Sequence, residues 1–470
     1  MQTTAGPIQN AFTRSTKNIT PFRLRLLLML IFTVSTAFCI LSIHTIQQHD
    51  KALQTIGIEA GPSVIAAQNI KIGILTMDSD LADELLYKSG ESEAQERLED
   101  FNKSRIETSK YLVAAARNIT YGNAELFPVE NLQSGIGQYL MQAQIARDVH
   151  QNGQIDDTIK AYRDALNTLQ TVVLPNADAL NKSNQDMLIE IYNQEKSASA
   201  LARGVVLLAG LVLLCLLAYT QYYLKLRFKR ILNPPLLIAS VVLLLFLQHL
   251  YQSLADCSNS TKVAKEDSYD SIVALLGARA ASYDANASES RWLLDPDRSA
   301  NYSKEFQDDM HKVAKFSPSN DLDKTIALAQ KQLANADKFA LPQFSGYMAE
   351  EFNNIRFGGE GQAAIDALHE LKDYMATDAR MRALADSGQR DGALKLGLSR
   401  DTRGSDYWFQ RFDDAVGRAL AINQEQLDAA VKEGKKSLDN QILFALLIAV
   451  FVICCAYYGL LPRIQEYSRN

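Results

Sequence analysis

The chain has 470 residues, 47% of them hydrophobic and 22% charged, with a net charge of -6, which is too much material for one ordinary domain. It contains no His-x-x-x-His, Cys-x-x-Cys, P-loop or nucleophile-elbow pattern, so the expectation is a protein that is not an enzyme, with no catalytic residues, no metal, no cofactor and no nucleic-acid partner. Of its five cysteines, Cys39, Cys215, Cys454 and Cys455 lie in apolar runs, leaving Cys257 alone elsewhere, which excludes a disulfide framework.

Residues 1–25 form a basic tail carrying Arg14, Lys17, Arg23 and Arg25, followed by an apolar run over 26–46. That run is long enough to cross about 30 Å of hydrocarbon and lacks a small-x-small cleavage pattern, so it reads as an anchor and not a signal peptide. Further runs at 202–224, 231–252 and 441–461 give four transmembrane helices in all. Lys225, Arg227, Lys229 and Arg230 fill the hairpin at 225–230, and Arg463 lies in the tail at 462–470. Positive charge is retained in the cytoplasm, so both termini and this hairpin are expected inside a multi-pass protein of the cell membrane. The long segments 47–201 and 253–440 are then exported.

Apolar residues recur every three to four positions in both exported segments, which predicts helices. In the first, breaks are expected near Lys88-Ser89-Gly90, Tyr121-Gly122-Asn123, Asn152-Gly153-Gln154 and Leu174-Pro175-Asn176. In the second they fall near Asp295-Pro296, Ser317-Pro318-Ser319-Asn320, Phe357 to Gly361 and Ser387-Gly388-Gln389. Each segment thus offers an antiparallel four-helix bundle, and the fold class is an all-α membrane protein. A stripe from Trp408 through Phe412, Val416 and Leu427 to Leu438, with no proline from Asp401 to Leu461, predicts one unbroken helix into the last span. Tyr139, Arg147, Gly153, Gln154 and Asp156 recur as Tyr374, Arg382, Gly388, Gln389 and Asp391 at a constant offset of 235, which points to an internal duplication.

Candidate contact residues are few. Arg291 with Trp292 and Trp408 with Arg411 pair aromatic and basic groups suited to an acidic ligand or a partner protein, and Arg356 with Arg279 extends the basic set. Core packing with snorkelled Arg competes with that reading. Asp78, Asp80, Asp83 and Glu84 lack the spacing of a calcium loop and read as a solvated helix face. On the cytoplasmic side, Arg227, Lys229 and Arg230 with Pro234 and Pro235 form a stiff basic hairpin suited to docking a partner. His249 falls at a membrane interface, where it implies no proton relay.

The phrase Ala383-Leu384-Ala385-Asp386-Ser387-Gly388-Gln389-Arg390-Asp391-Gly392-Ala393, ahead of a helix entering the membrane, resembles the third-to-fourth helix corner of the four-helix-bundle sensor domains of bacterial chemoreceptors and histidine kinases. Asp148 to Asp157 is a weaker copy. No adaptor, methylation or kinase domain is seen after Leu461, where the family has one. Four spans with two exported bundles also resemble, in topology, the actinobacterial membrane protein that works beside a glutamine/glutamate-type solute-binding lipoprotein and a soluble Ser/Thr kinase. That resemblance implies amino-acid sensing, with a solute-binding protein or small ligand outside and a kinase or other output protein inside. The expected function is therefore a transmembrane sensor or relay. A membrane scaffold or transport-accessory subunit, or a direct small-molecule sensor, is the alternative, and a homodimer is compatible with each.

Overall fold

The computed structural model describes residues 8–228, 232–318, 320–401 and 403–466. The first apolar run lies inside α1 (Ile8–Gly57). The chain turns sharply after it, with the amides of Ile58 and Glu59 both donating to the Gln54 carbonyl at 2.8 and 3.1 Å. At Gly61 a Cβ would meet the Ile56 carbonyl oxygen at 1.9 Å, so only glycine can enter α2 (Ala60–Glu84) this way. Next come α3 (Ser92–Arg117), α4 (Asn123–Gln151) and α5 (Ile155–Thr168), separated at the expected breaks.

The break expected at Leu174-Pro175 does not occur. A π-helical turn over Leu169–Val173 leads straight into α6 (Leu174–Phe228). Pro175 cannot donate to the carbonyl four residues back, and widening the preceding turn lets the helix continue past it.

The rest of the chain runs α7 (Pro234–Lys262), a second π-helical stretch Val263–Tyr269, α8 (Asp270–Leu294) and α9 (Ser299–Val313). β1 (Lys315–Phe316), α10 (Leu322–Ala334), β2 (Phe344–Ser345) and α11 (Tyr347–Asn354) follow. The expectation of helices alone missed the antiparallel ladder between β1 and β2, where Phe316 and Phe344 pair and their rings stack 5.1 Å apart. Then come α12 (Glu360–Asp386), α13 (Arg390–Leu398), α14 (Ser405–Leu438) and α15 (Gln441–Glu466). The unbroken helix predicted from Asp401 to Leu461 is interrupted at Asn440, whose φ of 62° is left-handed. Asn tolerates that conformation better than most residues and commonly ends helices in it.

Four helical stretches are long and apolar enough to cross a membrane. The chain divides into two compact units. One holds the described residues up to Leu53 with 191–261 and those from Lys432 onward. Its core joins all four apolar runs through residues such as Phe38, Leu213, Leu243 and Val452. The other holds 54–190 together with 262–431, so the two long segments, expected as separate bundles over 47–201 and 253–440, share one unit. Their side chains mix in its core, where Leu81, Tyr139 and Tyr162 of the first segment cluster with Leu294 and Tyr302 of the second.

One hydrogen-bond pattern appears in both segments. Asn118 Nδ2 donates to the carbonyls of Ile58 and Glu59 and to Ser63 Oγ at 3.4, 2.7 and 2.8 Å. Asn354 Nδ2 donates to the carbonyls of Glu266 and Asp267 and to Ser271 Oγ at 2.8, 3.3 and 3.1 Å. Just after each, Glu125 Oε2 accepts from the amides of Thr120 and Tyr121, and Glu360 Oε2 from those of Arg356 and Phe357. Tyr139 and Tyr374 are both fully buried, and Gly153 and Gly388 take φ values of 72° and 81°.

Candidate ligand-binding cleft

α2 carries Asp78, Asp80, Asp83 and Glu84, and all four are buried, at 0, 6, 1 and 9% exposure. The solvated helix face expected of them is thus overturned. A buried carboxylate is tolerated when a cation and hydrogen bonds replace its water, and three of the four have that replacement. Arg291 Nη2 and Nε reach Asp78 Oδ2 at 2.7 and 2.9 Å, and the Tyr162 hydroxyl donates to the same oxygen at 3.1 Å. Arg97 Nη1 lies 3.2 Å from Asp83, and Arg147 Nε is 2.9 and 2.8 Å from the two Glu84 oxygens. Burial pushes the Asp83 carboxyl up to about 6 against the opposing pull of Arg97, and it raises Glu84 against Arg147. Asp80 differs in having no arginine paired with it among the described residues; its Oδ2, like Asp83 Oδ1, has no hydrogen-bond partner there.

Asp80 borders a cavity of about 900 Å³ where α2 and α3 of the first segment face α8 and α14 of the second. The cations on its wall are already engaged. Arg97 donates to Asp406 and to the Leu398 carbonyl, which fixes the start of α14. Arg400 reaches Glu96 at 2.6 Å and Asp100 at 2.7 Å, and Lys103 reaches Asp100 at 2.8 Å. Arg411 is held by Glu370 at 2.5 and 2.9 Å. Opposite them, Tyr283 meets Phe409 edge-on with ring centroids 4.8 Å apart, and its hydroxyl donates to Asp413 at 3.1 Å. Ser79 Oγ donates to Asn286 Oδ1 at 2.8 Å, joining the two segments along the wall.

The structure does not bring the sequence-predicted residues into one site. Arg291 is 1% exposed and its charge is spent on Asp78, which removes it from any docking surface. Trp292 lies under the guanidinium of Arg382, 4.9 Å from its ring centre, instead of pairing with its neighbour Arg291. Trp408 packs edge-on against Tyr407, and Arg356 faces Asp267 at 3.6 Å and donates to the Ile355 carbonyl. Arg279 is bidentate to Asp413 at 2.6 and 2.7 Å. Arg411 alone of the five docking candidates lines the cavity.

In the hairpin, Arg227 and Pro234 are exposed and Pro235 is half-buried, while Lys229 and Arg230 lie outside the described residues. Pro234 and Pro235 border a small cavity of about 180 Å³ with Asn233, whose Nδ2 donates to the Gly459 carbonyl at 2.8 Å. His249 contacts Gln441 Nε2 at 3.0 Å, beside the break at Asn440. Sequence reasoning read Asp80 as solvated and missed Asn286, Tyr283 and Phe409. The available signal was four carboxylates within seven positions of an otherwise apolar helix, a pattern that demands either solvent or partners.

Residues 52–193 match the family model of the actinobacterial sensor domain, and no curated protein and no solved structure matches the chain.

Proposed function

We propose that the chain is a multi-pass membrane sensor whose two long segments lie outside the cell and hold a small solute in the cleft between them. Its occupancy would be relayed to a cytoplasmic partner such as a Ser/Thr kinase. The observation that carries this reading is that α2 and α3 of one segment and α8 and α14 of the other share the wall of a single cavity. A solute that fits the wall in one arrangement of the segments better than in another shifts the balance between them by its differential affinity. The sensor-domain match over residues 52–193 supports a signal-sensing role.

The cavity favours direct binding of a small molecule over docking of a solute-binding protein. α14 brings Tyr407, Phe409 and Gln410 to the cleft, and its last residues, from Lys432 to Leu438, belong to the span unit. The reading gives the chain no catalytic step. It also takes the two segments as copies of one unit, supported by the matching bonds of Asn118 and Asn354 and of Glu125 and Glu360.

A photo-crosslinking residue at Arg227 in living cells tests the relay. Capture of a cytoplasmic protein should rise or fall when the solute supply of the medium is shifted. No capture, or capture indifferent to the medium, would return the chain to the scaffold or transport-accessory reading.

A further inference from the structure

α2 buries four carboxylates within seven residues, and the folded chain supplies an arginine to three of them: Arg291 to Asp78, Arg97 to Asp83 and Arg147 to Glu84. Asp80 is as buried as the others, at 6% exposure, yet its Oδ2 is without a hydrogen-bond partner among the described residues and it borders the cleft. A buried carboxylate oxygen left unpaired costs free energy that a ligand can recover. No cation of the wall is free to move to it without breaking an existing pair, since Arg97, Lys103, Arg400 and Arg411 are held by Asp406, Asp100, Glu96 and Glu370.

We propose that the solute held in this cleft carries a protonated amine that seats on Asp80 Oδ2. This rests on the reading of the cleft as the sensor's binding site and names the chemistry that site selects. An anionic ligand is disfavoured, because five carboxylates line the cavity against four cations that are already matched. A metal ion is disfavoured too, because no group of three or more His, Cys, Asp or Glu among the described residues is placed to hold one. The stem of an organic amine has a surface to lie on, since Tyr283 and Phe409, packed edge-on against each other, line the same cavity.

The electrostatics of the empty site agree. Burial raises the Asp80 carboxyl well above its ordinary range; Arg97 and Arg400 oppose that shift, while Asp83 and Asp100 add to it. Lys103 and Glu107 on α3, Tyr283 on α8 and Asp406, Tyr407, Arg411 and Asp414 on α14 are the other titratable groups of the wall. An ammonium group arriving on Asp80 therefore displaces a proton that the empty site holds more tightly than water-exposed Asp would. Amine affinity should rise with pH across the range in which Asp80 ionises.

The test is titration calorimetry on the full chain in lipid nanodiscs with phenethylamine and putrescine as amines. Phenethyl alcohol and hydrocinnamate serve as the neutral and anionic counterparts of the first. The amines are expected to bind with release of a proton, detected from buffers of different ionisation enthalpy, and the counterparts to bind at least tenfold more weakly. Asp80→Asn should weaken amine binding by about tenfold or more, the loss of one charge-assisted hydrogen bond. The same variant should melt at or above the wild-type temperature, because it removes a buried ionisable carboxyl that the folded chain leaves unpaired. Two results overturn the proposal: neither amine binding at millimolar concentration, or Asp80→Asn binding amines as well as the wild type. Hydrocinnamate binding in the cleft as well as phenethylamine overturns the amine while leaving the cleft in place, whereas the sensor reading itself stands or falls on the crosslinking response at Arg227.

Discussion

Replacing Arg291 with Met probes what holds the two long segments together. Arg291 is 1% exposed, and its guanidinium gives Asp78, itself fully buried, contacts of 2.7 and 2.9 Å from across the segment interface. Met fills a similar volume without charge, so the variant leaves the Asp78 carboxylate in a dry core with only the hydroxyls of Tyr162 and Tyr139 near it, at 3.1 and 3.5 Å. Breaking a buried pair from one side costs roughly 3 to 5 kcal/mol. At about 2 to 3 °C per kcal/mol for a unit of this size, melting should fall by roughly 6 to 15 °C. Trp292, next in sequence, and Trp408 provide intrinsic fluorescence to follow it. Adding Asp78→Asn removes the stranded charge yet keeps an acceptor for both tyrosines, so the double variant should recover most of the loss. A single variant melting with the wild type, or a double variant as damaged as the single, would refute the claim that this ion pair holds the interface.

Burial, with Asp284 adding and Lys312 opposing, pushes the Asp309 carboxyl up to about 6, above its unfolded value near 4. A raised carboxyl favours the folded state at low pH, and that contribution is lost as pH climbs from about 4 through about 6. Asp309→Asn should therefore gain roughly 1 to 3 kcal/mol relative to wild type between about pH 4 and pH 7.5, read by denaturant unfolding; a pH-independent difference would refute the assignment. Asn118→Ala and Asn354→Ala should each cost about 1 to 3 kcal/mol, because each removes a side-chain donor shared by two carbonyls and a serine, and costs differing several-fold would count against reading the two corners as copies. Cysteines placed at Asn152 and Ser317 should react with an impermeant maleimide in intact cells while one at Arg227 should not, and labelling at Arg227 would reverse the proposed orientation.

Much of the fold was legible because helix ends are local chemistry. Gly153 and Gly388 mark turns that need a left-handed residue, and the apolar runs stand out by length alone. The misses have separate causes. Pro175 looked like a terminator, but a π-helical turn absorbed it. The end of α14 at Asn440 was readable in principle from Asp439-Asn440, yet the apolar stripe on both sides concealed it. The cleft was illegible for a stronger reason: its walls come from residues about 200 positions apart, as in Ser79 with Asn286, and period counting sees only near neighbours. Arg291 and Trp292 drew notice as a candidate docking pair beside the core-packing reading, because sequence gives residue type without burial.

The matching bonds of Asn118 and Asn354 set a register between α2 and α8 in which the acids of α2 can be compared. The bonds of Asn118 and Asn354 align Glu59 with Asp267 and Ser63 with Ser271, and both pairs differ by 208. Carried along α2 and α8, that register sets Asp78 against Asn286, Asp80 against Ser288, Asp83 against Arg291 and Glu84 against Trp292. The acidic face of one helix thus corresponds to a neutral or basic face of the other. Opposite charge at corresponding positions lets α2 and α8 pack on each other through Asp78 and Arg291, where two identical acidic faces would repel. Ser288, the counterpart of Asp80, has its hydroxyl against Arg291 Nη1 at 3.2 Å, inside that ion pair, whereas Asp80 turns to the cavity. The four acids of α2 therefore divide by what they face: Asp78 holds Arg291 of the other segment, Asp83 and Glu84 hold Arg97 and Arg147 of their own, with Arg97 reaching on to Asp406, and Asp80 faces the cavity with its Oδ2 unpaired among the described residues.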